Sequence, residues 1–340
     1  MSYFSMQQKL NGRKLLLRFI LVFSILFFPS FVVADYSQHP KAADVIQKLV
    51  SKHGFERKSV LKILKLAETE PRILKSMKNA AEKTKTWTAY KASFLVQSRI
   101  DAGVVFYDKH QKILLAAEER FGVDPLVIVA ILGVETNYGT YTGKANVLNA
   151  LATLAFEHPR RGEFFTKELI EYIRLAEEKR WDAASISGSY AGAMGMSQFM
   201  PSNYRTLAVD GNGDGEVDLM QVNDAIFSVA NYLKHHGWKS AADITFPIAV
   251  ASTFDESIIG KYLKPNATLS QLVDSGYVID KSLMTQLGGD TMARVIRFND
   301  ADGDEFWLGL NNFYVISRYN PRAKYAMAVY LLSESIRHQR

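Results

Sequence analysis

The sequence predicts a mainly α protein of the α+β class, a run of helices followed by a small antiparallel β domain. Two changes of texture predict it. Over residues 41–112, Val45, Leu49, Val60, Ile63, Leu64, Ile73, Trp87, Tyr90 and Phe94 mostly recur at intervals of three and four, the spacing of one helix face. After Tyr232 the chain breaks into short β-branched or aromatic runs at 244–250, 294–298, 306–310 and 313–318, separated by Gly, Asn and Asp as strands and hairpins are. Composition supports both readings: 340 residues at 48% hydrophobic and 12% aromatic can bury a substantial core and are too apolar for disorder.

The elements follow in order. Residues 1–34 carry Lys9, Arg13, Lys14 and Arg18 and no acid, then an apolar run at 19–28, Pro29 and Val32-Val33-Ala34. That is the pattern of an export signal, with an uncleaved membrane anchor as the alternative. Without these four basic residues the 41 lysines and arginines fall to 37 against 35 acids, so the formal +6 becomes +2. No basic patch suited to nucleic acid remains. The absence of cysteine excludes disulfides, thiolate metal sites, a cysteine nucleophile and a lipid-modified N-terminal cysteine. Catalysis must come from oxygen and nitrogen groups, outside the cytoplasm if the leader exports the chain.

Residues 35–115 read as an N-terminal helical domain, with Pro71 starting one of its helices. Residues 116–245 read as the catalytic core. Within it, Asp124-Pro125 opens a helix, because aspartate accepts bonds from unpaired N–H groups and proline at the first position has none to lose. Residues 126–134 then run with almost no polar side chain, so this helix is buried on all sides. Residues 246–340 read as the β domain plus a segment that returns to the core. Within this stretch 300–304 forms a hairpin turn and 325–336 a closing helix.

Three stretches carry chemistry. The buried helix runs out at Gly133-Val134-Glu135-Thr136-Asn137-Tyr138-Gly139, placing one carboxyl where water is scarce. Desolvation favours the protonated form, and such an acid can protonate a leaving oxygen; an exposed glutamate at a fraying helix end is the alternative. Residues 188–202 are rich in Gly, Ala and Ser around Gln198, which permits close backbone approach and directional bonds to a sugar. Residues 210–218, with Asp210, Asn212, Asp214, Glu216 and Asp218 at alternate positions and Gly215 sixth, open like an EF-hand calcium loop. The twelfth position is Gln221 in place of glutamate, and Asp224 can take its role in a longer loop.

Together these motifs resemble the membrane-bound lytic murein transglycosylase B family. The resemblance rests on Val134-Glu135-Thr136 with Tyr138-Gly139, residues 150–154, His158-Pro159-Arg160-Arg161, Gly192-Ala193-Met194-Gly195 with residues 198–202, and Asp224-Ala225-Ile226 before Ala230-Asn231-Tyr232. It implies a lysozyme-like helical core with an added helical domain and a small β domain. It implies cleavage of the β-1,4 bond between N-acetylmuramic acid and N-acetylglucosamine in peptidoglycan, leaving a 1,6-anhydromuramyl end, with Glu135 as acid and then base. By the same resemblance Ser189 and Gln198 line the cleft beside Glu135, Arg160 and Arg161 face substrate carboxylates, and Tyr90, Tyr232, Tyr319 and Asn320 form the sugar groove. Calcium, or sodium in its place, is held structurally by Asp210, Asn212, Asp214, the carbonyl of Glu216, and Asp224. The expected setting is the periplasm, the expected partners are glycan strands and wall-synthesis or divisome proteins, and the expected state is a monomer. A hydrolytic muramidase and a noncatalytic wall-binding module are the competing readings.

Overall fold

A computed structural model of the protein describes residues 35–78, 84–260, 262–300 and 303–340; the leader read at 1–34 lies outside them. Helices α1 (Ala42–His53), α2 (Arg57–Leu66), α3 (Pro71–Lys78), α4 (Trp87–Ala92) and α5 (Gln97–Phe121) precede the apolar helix α6 (Pro125–Thr136). Strand β1 (Ala145–Asn146), α7 (Val147–Glu157), α8 (Gly162–Glu178), β2 (Ser187–Gly188), α9 (Pro201–Leu207) and α10 (Val222–His235) follow. The early helices are fixed to α7 by side-chain caps: Asn149 Oδ1 accepts from Glu68 N at 2.9 Å, and Thr153 Oγ1 accepts from Glu70 N at 3.0 Å.

Helix α6 is the axis of the core. Asp124 caps it by accepting from Leu126 N at 2.8 Å, Pro125 sits in its first turn, and every side chain from Leu126 to Leu132 is buried. Burial on all faces explains why its sequence shows no polar stripe. Helices α5 and α10 pack around it, and so does the last helix, α14 (Ala323–Gln339). An added Cβ on Gly103 of α5 would stand 2.4 Å from Ile336 of α14, so glycine there lets the chain's end lie close to α5.

The β region is one antiparallel sheet in the order β4-β6-β7-β3-β5, made of β3 (Thr245–Val250), β4 (Ala267–Thr268), β5 (Tyr277–Val278), β6 (Met292–Asp300) and β7 (Gly303–Gly309). Helices α11 (Leu269–Asp274) and α12 (Lys281–Leu287) cover it over a second, smaller apolar core built on Leu269, Leu272, Tyr277, Val295 and Leu308. Asp300 pairs with Gly303 at the end of the β6–β7 hairpin, where the sequence places a turn.

Residues 313–318, read from the sequence as a strand, are a helix, α13 (Asn311–Ser317). Phe313, Ile316 and Ser317 are buried at helical spacing, and Asn312 fixes the helix start by donating to the carbonyls of Lys239 and Ala242. Tertiary packing overrides the β-branched preference of Val315 and Ile316.

The hairpin is tied to α4. The Glu305 carboxylate accepts from Trp87 Nε1 at 3.2 Å, Trp307 Nε1 at 3.3 Å and Lys91 Nζ at 3.2 Å, while Trp87 stacks on Phe298 at 4.4 Å. Burial would raise the pKa of Glu305, but these donors outweigh it and the net shift is downward. A depressed carboxyl contributes stability above its unfolded pKa, and that contribution is lost as pH falls through the folded value. Tryptophan fluorescence should therefore report loss of the tie as pH falls below the ordinary glutamate range. In Lys91→Ala, which removes a cation holding the group down, the transition should move to higher pH; an unmoved transition contradicts the account.

Candidate active site

Glu135 is the penultimate residue of α6 and is half-buried. The chain turns away from it abruptly. Asn137, Tyr138 and Gly139 all take positive φ, at 50°, 60° and 86°, and Asn137 N–H closes back on the Gly133 carbonyl at 3.1 Å. Tyr138 tucks beneath the helix end, where an added Cβ on Gly133 would stand 2.7 Å from its ring, and its hydroxyl donates to the Arg99 carbonyl at 2.9 Å. Arg99 Nη1 in turn donates to the Gly133 carbonyl at 3.0 Å, a cation at the negative end of the helix.

The partner of the acid comes from the far end of the chain. Tyr325, in the first turn of α14, donates its hydroxyl to Glu135 Oε1 at 2.6 Å. Its ring is nearly parallel to that of Tyr319, with centroids 6.5 Å apart, and Tyr319 lies 4.6 Å from Tyr232. The phenols are held as donors. Tyr319 donates to the Ser197 carbonyl at 2.9 Å and Tyr232 to the Arg318 carbonyl at 2.6 Å.

Burial, and then the charge of Glu135, raise the pKa values of Tyr319 and Tyr325 well above the usual tyrosine range. Burial pushes Tyr232 up to about 12, Arg318 opposing and Glu135 adding to the rise. Tyr90 is buried against Phe94, and its phenol adds to the rise at Tyr325. Four of the predicted site residues, Glu135, Tyr90, Tyr232 and Tyr319, thus gather around Tyr325, a residue that the sequence reading placed only in a closing helix. Its one sequence signal is an aromatic residue six positions after Tyr319.

The small-residue loop lies against the same helix end. Thr136 Oγ1 donates to the Met196 carbonyl at 2.9 Å, and the pairing of Ala145 with Gly188 joins β1 to β2. Within the loop, Ser189 Oγ accepts from the amides of Ala191 and Ala193. Gln198, at φ 49°, donates its amide hydrogens to the carbonyls of Thr142 and Gly195, leaving its amide oxygen as the group it can offer a ligand.

The two arginines diverge. Arg161 lies over Phe164 and Phe165, and burial followed by the nearby charge of Arg322 lowers its pKa. Arg160 lines a separate surface cleft with Lys41, Asp44 and Lys48. Asn320 is half-buried, and its carbonyl accepts from Arg322 N at 2.7 Å.

Residues 210–218 form a tight loop before α10. Alternate side chains fold back onto the backbone: Asp210 accepts from the amides of Asn212, Gly213 and Gly215, Asn212 from Asp214, and Asp214 from Glu216. Those backbone bonds hold the Asp210 pKa below the usual carboxylate range. The Glu216 side chain turns to Lys179 at 2.9 Å, leaving its carbonyl to the loop. Asp224 is fully buried and braces the loop, accepting from Gly211 N at 2.9 Å and Asp218 N at 2.7 Å. Among the described residues no group of three carboxylate or imidazole side chains stands as a ready metal cage. The loop offers mixed carboxylate, amide and carbonyl oxygens, a donor set that suits a hard cation and no soft one.

The fold has counterparts among solved structures. The family described as "Transglycosylase SLT domain" matches residues 37–334. The chain belongs to this family. It is therefore a lytic transglycosylase, and the helical body around α6 is its lysozyme-like core. The chain is 38% identical over 311 residues to membrane-bound lytic murein transglycosylase B of Escherichia coli strain K12, covering 89% of this chain and 84% of that one. The structure of Escherichia coli lytic transglycosylase Slt35 in complex with calcium superimposes with a TM-score of 0.79 at 37% identity, over 91% of this chain and 96% of that chain. SltB3 of Pseudomonas aeruginosa, in complex with NAG-anhNAM-pentapeptide, gives 0.73 at 29% identity over 87% and 79%.

Proposed function

We propose that the protein cleaves the β-1,4 bond between N-acetylmuramic acid and N-acetylglucosamine in peptidoglycan without adding water, forming a 1,6-anhydromuramyl end through Glu135 alone. The observation that carries this reading is the surroundings of the acid. Among the described residues, Glu135 is the one carboxylate whose charge raises the pKa values of Tyr232, Tyr319 and Tyr325 together. A glycosidase with water or a side chain as nucleophile ordinarily uses two carboxyl groups. A site with one acid suits a substrate that carries its own nucleophile.

The steps then balance. The Glu135 carboxylic acid protonates the glycosidic oxygen as the bond to muramyl C1 breaks, and the substrate's acetamido carbonyl stabilises the developing cation. The muramyl 6-hydroxyl oxygen closes on C1, and the Glu135 carboxylate takes that hydroxyl's proton, restoring the acid. The hydrogen bond from the Tyr325 phenol favours the carboxylate and the apolar helix end favours the acid, opposing pulls that suit a group which gives and takes one proton in a turnover. Ser189, Gln198, Tyr90, Tyr232, Tyr319 and Asn320 are assigned to holding the sugars, and Arg160 and Arg161 to anionic groups of the substrate.

Calcium in the 210–218 loop, held by Asp210, Asn212, Asp214, the Glu216 carbonyl and Asp224, is assigned a structural role. The loop's exit is joined to the small-residue loop at 188–202 through the bond from Met196 N to the Leu219 carbonyl, at 2.8 Å. The setting is assigned outside the cytoplasm, with residues 1–34 as the export leader. Among the described residues no helix is long and apolar enough to cross a membrane.

Mass spectrometry of digested sacculi should show muropeptides lighter by one water than hydrolysis products, and Glu135→Gln should lower turnover by about 10²-fold or more. Products bearing the added water, or equal release by the variant, would overturn the mechanism. Chelation should lower the melting temperature of the wild type, calcium should restore it, and Asp210→Ala should make it insensitive to both; equal responses from the two proteins would refute the ion assignment.

A further inference from the structure

Helices α2 and α3 carry charge of one sign. Arg57, Lys58, Lys62 and Lys65 on α2 and Arg72, Lys75 and Lys78 on α3 are all exposed, and neither helix contains an acid. The spacing of Lys58, Lys62 and Lys65 puts the three on one face of α2, opposite the buried Val60 and Leu64. On α3 the cations stand opposite the buried Ile73 and Met77. Among the described residues, none of the seven takes part in an ion pair. Of the 37 basic and 35 acidic residues after the leader, the stretch 57–78 holds seven and two, so the remaining 30 and 33 leave the rest of the chain net acidic.

Like charges three or four residues apart on a helix oppose its formation. Lys58 with Lys62, Lys62 with Lys65, Arg72 with Lys75 and Lys75 with Lys78 are such pairs. Elsewhere in the molecule the same spacings hold opposite charges, as in Lys48 with Asp44, Lys167 with Glu163 and Arg174 with Glu171. A cationic face kept at that cost is explained by an anionic surface that docks on it. Two features favour a lipid bilayer over a wall polymer. Leu66, 48% exposed, borders the lysine stripe with an apolar side chain that suits the boundary beneath the headgroups. Helices α1 to α3 are also the first α-helices after the leader assigned to 1–34, so along the chain this face lies near the segment that meets the membrane.

We infer that the lysine face of α2, with the cations of α3, is a docking surface for the anionic headgroups of a lipid bilayer, holding the enzyme against the membrane. The inference goes beyond the reaction at Glu135 and does not depend on it.

The test measures partition of the purified full chain onto vesicles of phosphatidylcholine alone and of phosphatidylcholine mixed equally with phosphatidylglycerol. The wild type should prefer the anionic vesicles, by a ratio that shrinks as salt is raised. In Lys58→Gln/Lys62→Gln/Lys65→Gln that ratio should fall by at least about tenfold. The corresponding triple substitution to arginine, which keeps the charge, should preserve it. Lys112→Gln/Lys239→Gln/Lys281→Gln, which removes as much exposed charge elsewhere, should lower it far less. Equal falls in the two glutamine variants would show net charge alone at work and overturn the surface, as would a wild type that binds both vesicles equally. Loss of binding to purified sacculi with vesicle binding intact would give the face to a wall polymer and overturn the membrane reading. Turnover of soluble glycan strands should stay at the wild-type level in the α2 variant, which also shows its fold intact; a matching loss of turnover would place these lysines in substrate binding instead.

Discussion

A single hydrogen bond, from the Tyr325 hydroxyl to the Glu135 carboxyl at 2.6 Å, joins parts of the chain 190 residues apart, and much of the architecture serves to bring its two ends together. The acid stands at the last turn of an apolar helix whose side chains from Pro125 to Leu132 are all buried. Such a position would be costly for an unpartnered charge. The closing helix supplies the partner, and it can do so because it packs along α6 and because Gly103 leaves room for Ile336. The β region, inserted between the core helices and α14, does not interrupt this contact.

The same helix end also sets the position of the small-residue loop at 188–202. Thr136, adjacent to the acid, donates to the Met196 carbonyl, and Tyr319 donates to that of Ser197. Two neighbouring carbonyls of one loop are thus bonded to the two segments that carry Glu135 and Tyr325. The three consecutive positive φ values after Thr136 turn the chain out of the helix, and the Tyr138 and Arg99 bonds close the turn from below. Strained backbone of this kind persists only where its surroundings over-determine it.

Much of this is legible in the sequence because it is local. The cap at Asp124-Pro125, the apolar run behind Glu135, the glycine-rich loop and the alternate oxygens of 210–218 lie within a few residues of one another, and short-range rules read them directly. Helix α13 is not legible, because β-branched Val315 and Ile316 favour a strand locally and only the anchoring of Asn312 on Lys239 and Ala242 decides for a helix. Tyr325 as the acid's partner is not legible from pattern either, since nothing local distinguishes a tyrosine facing a carboxyl from one facing a core. The divergence of Arg160 from Arg161 is equally a tertiary fact: one lines a cleft with Lys41, while the other rests on two phenylalanines beside Arg322.

In the proposed mechanism the phenol sets the balance between the two protonation states of the acid. The direct measurement is the pH dependence of kcat/KM on glycan strands for the wild type and Tyr325→Phe, which removes one oxygen and keeps the ring. Removing a donor to the ionised carboxyl favours its protonated form, so the alkaline limb of the profile should move to higher pH while kcat falls by about tenfold. Superimposable profiles with equal kcat would contradict the claim that the Tyr325 hydroxyl governs Glu135.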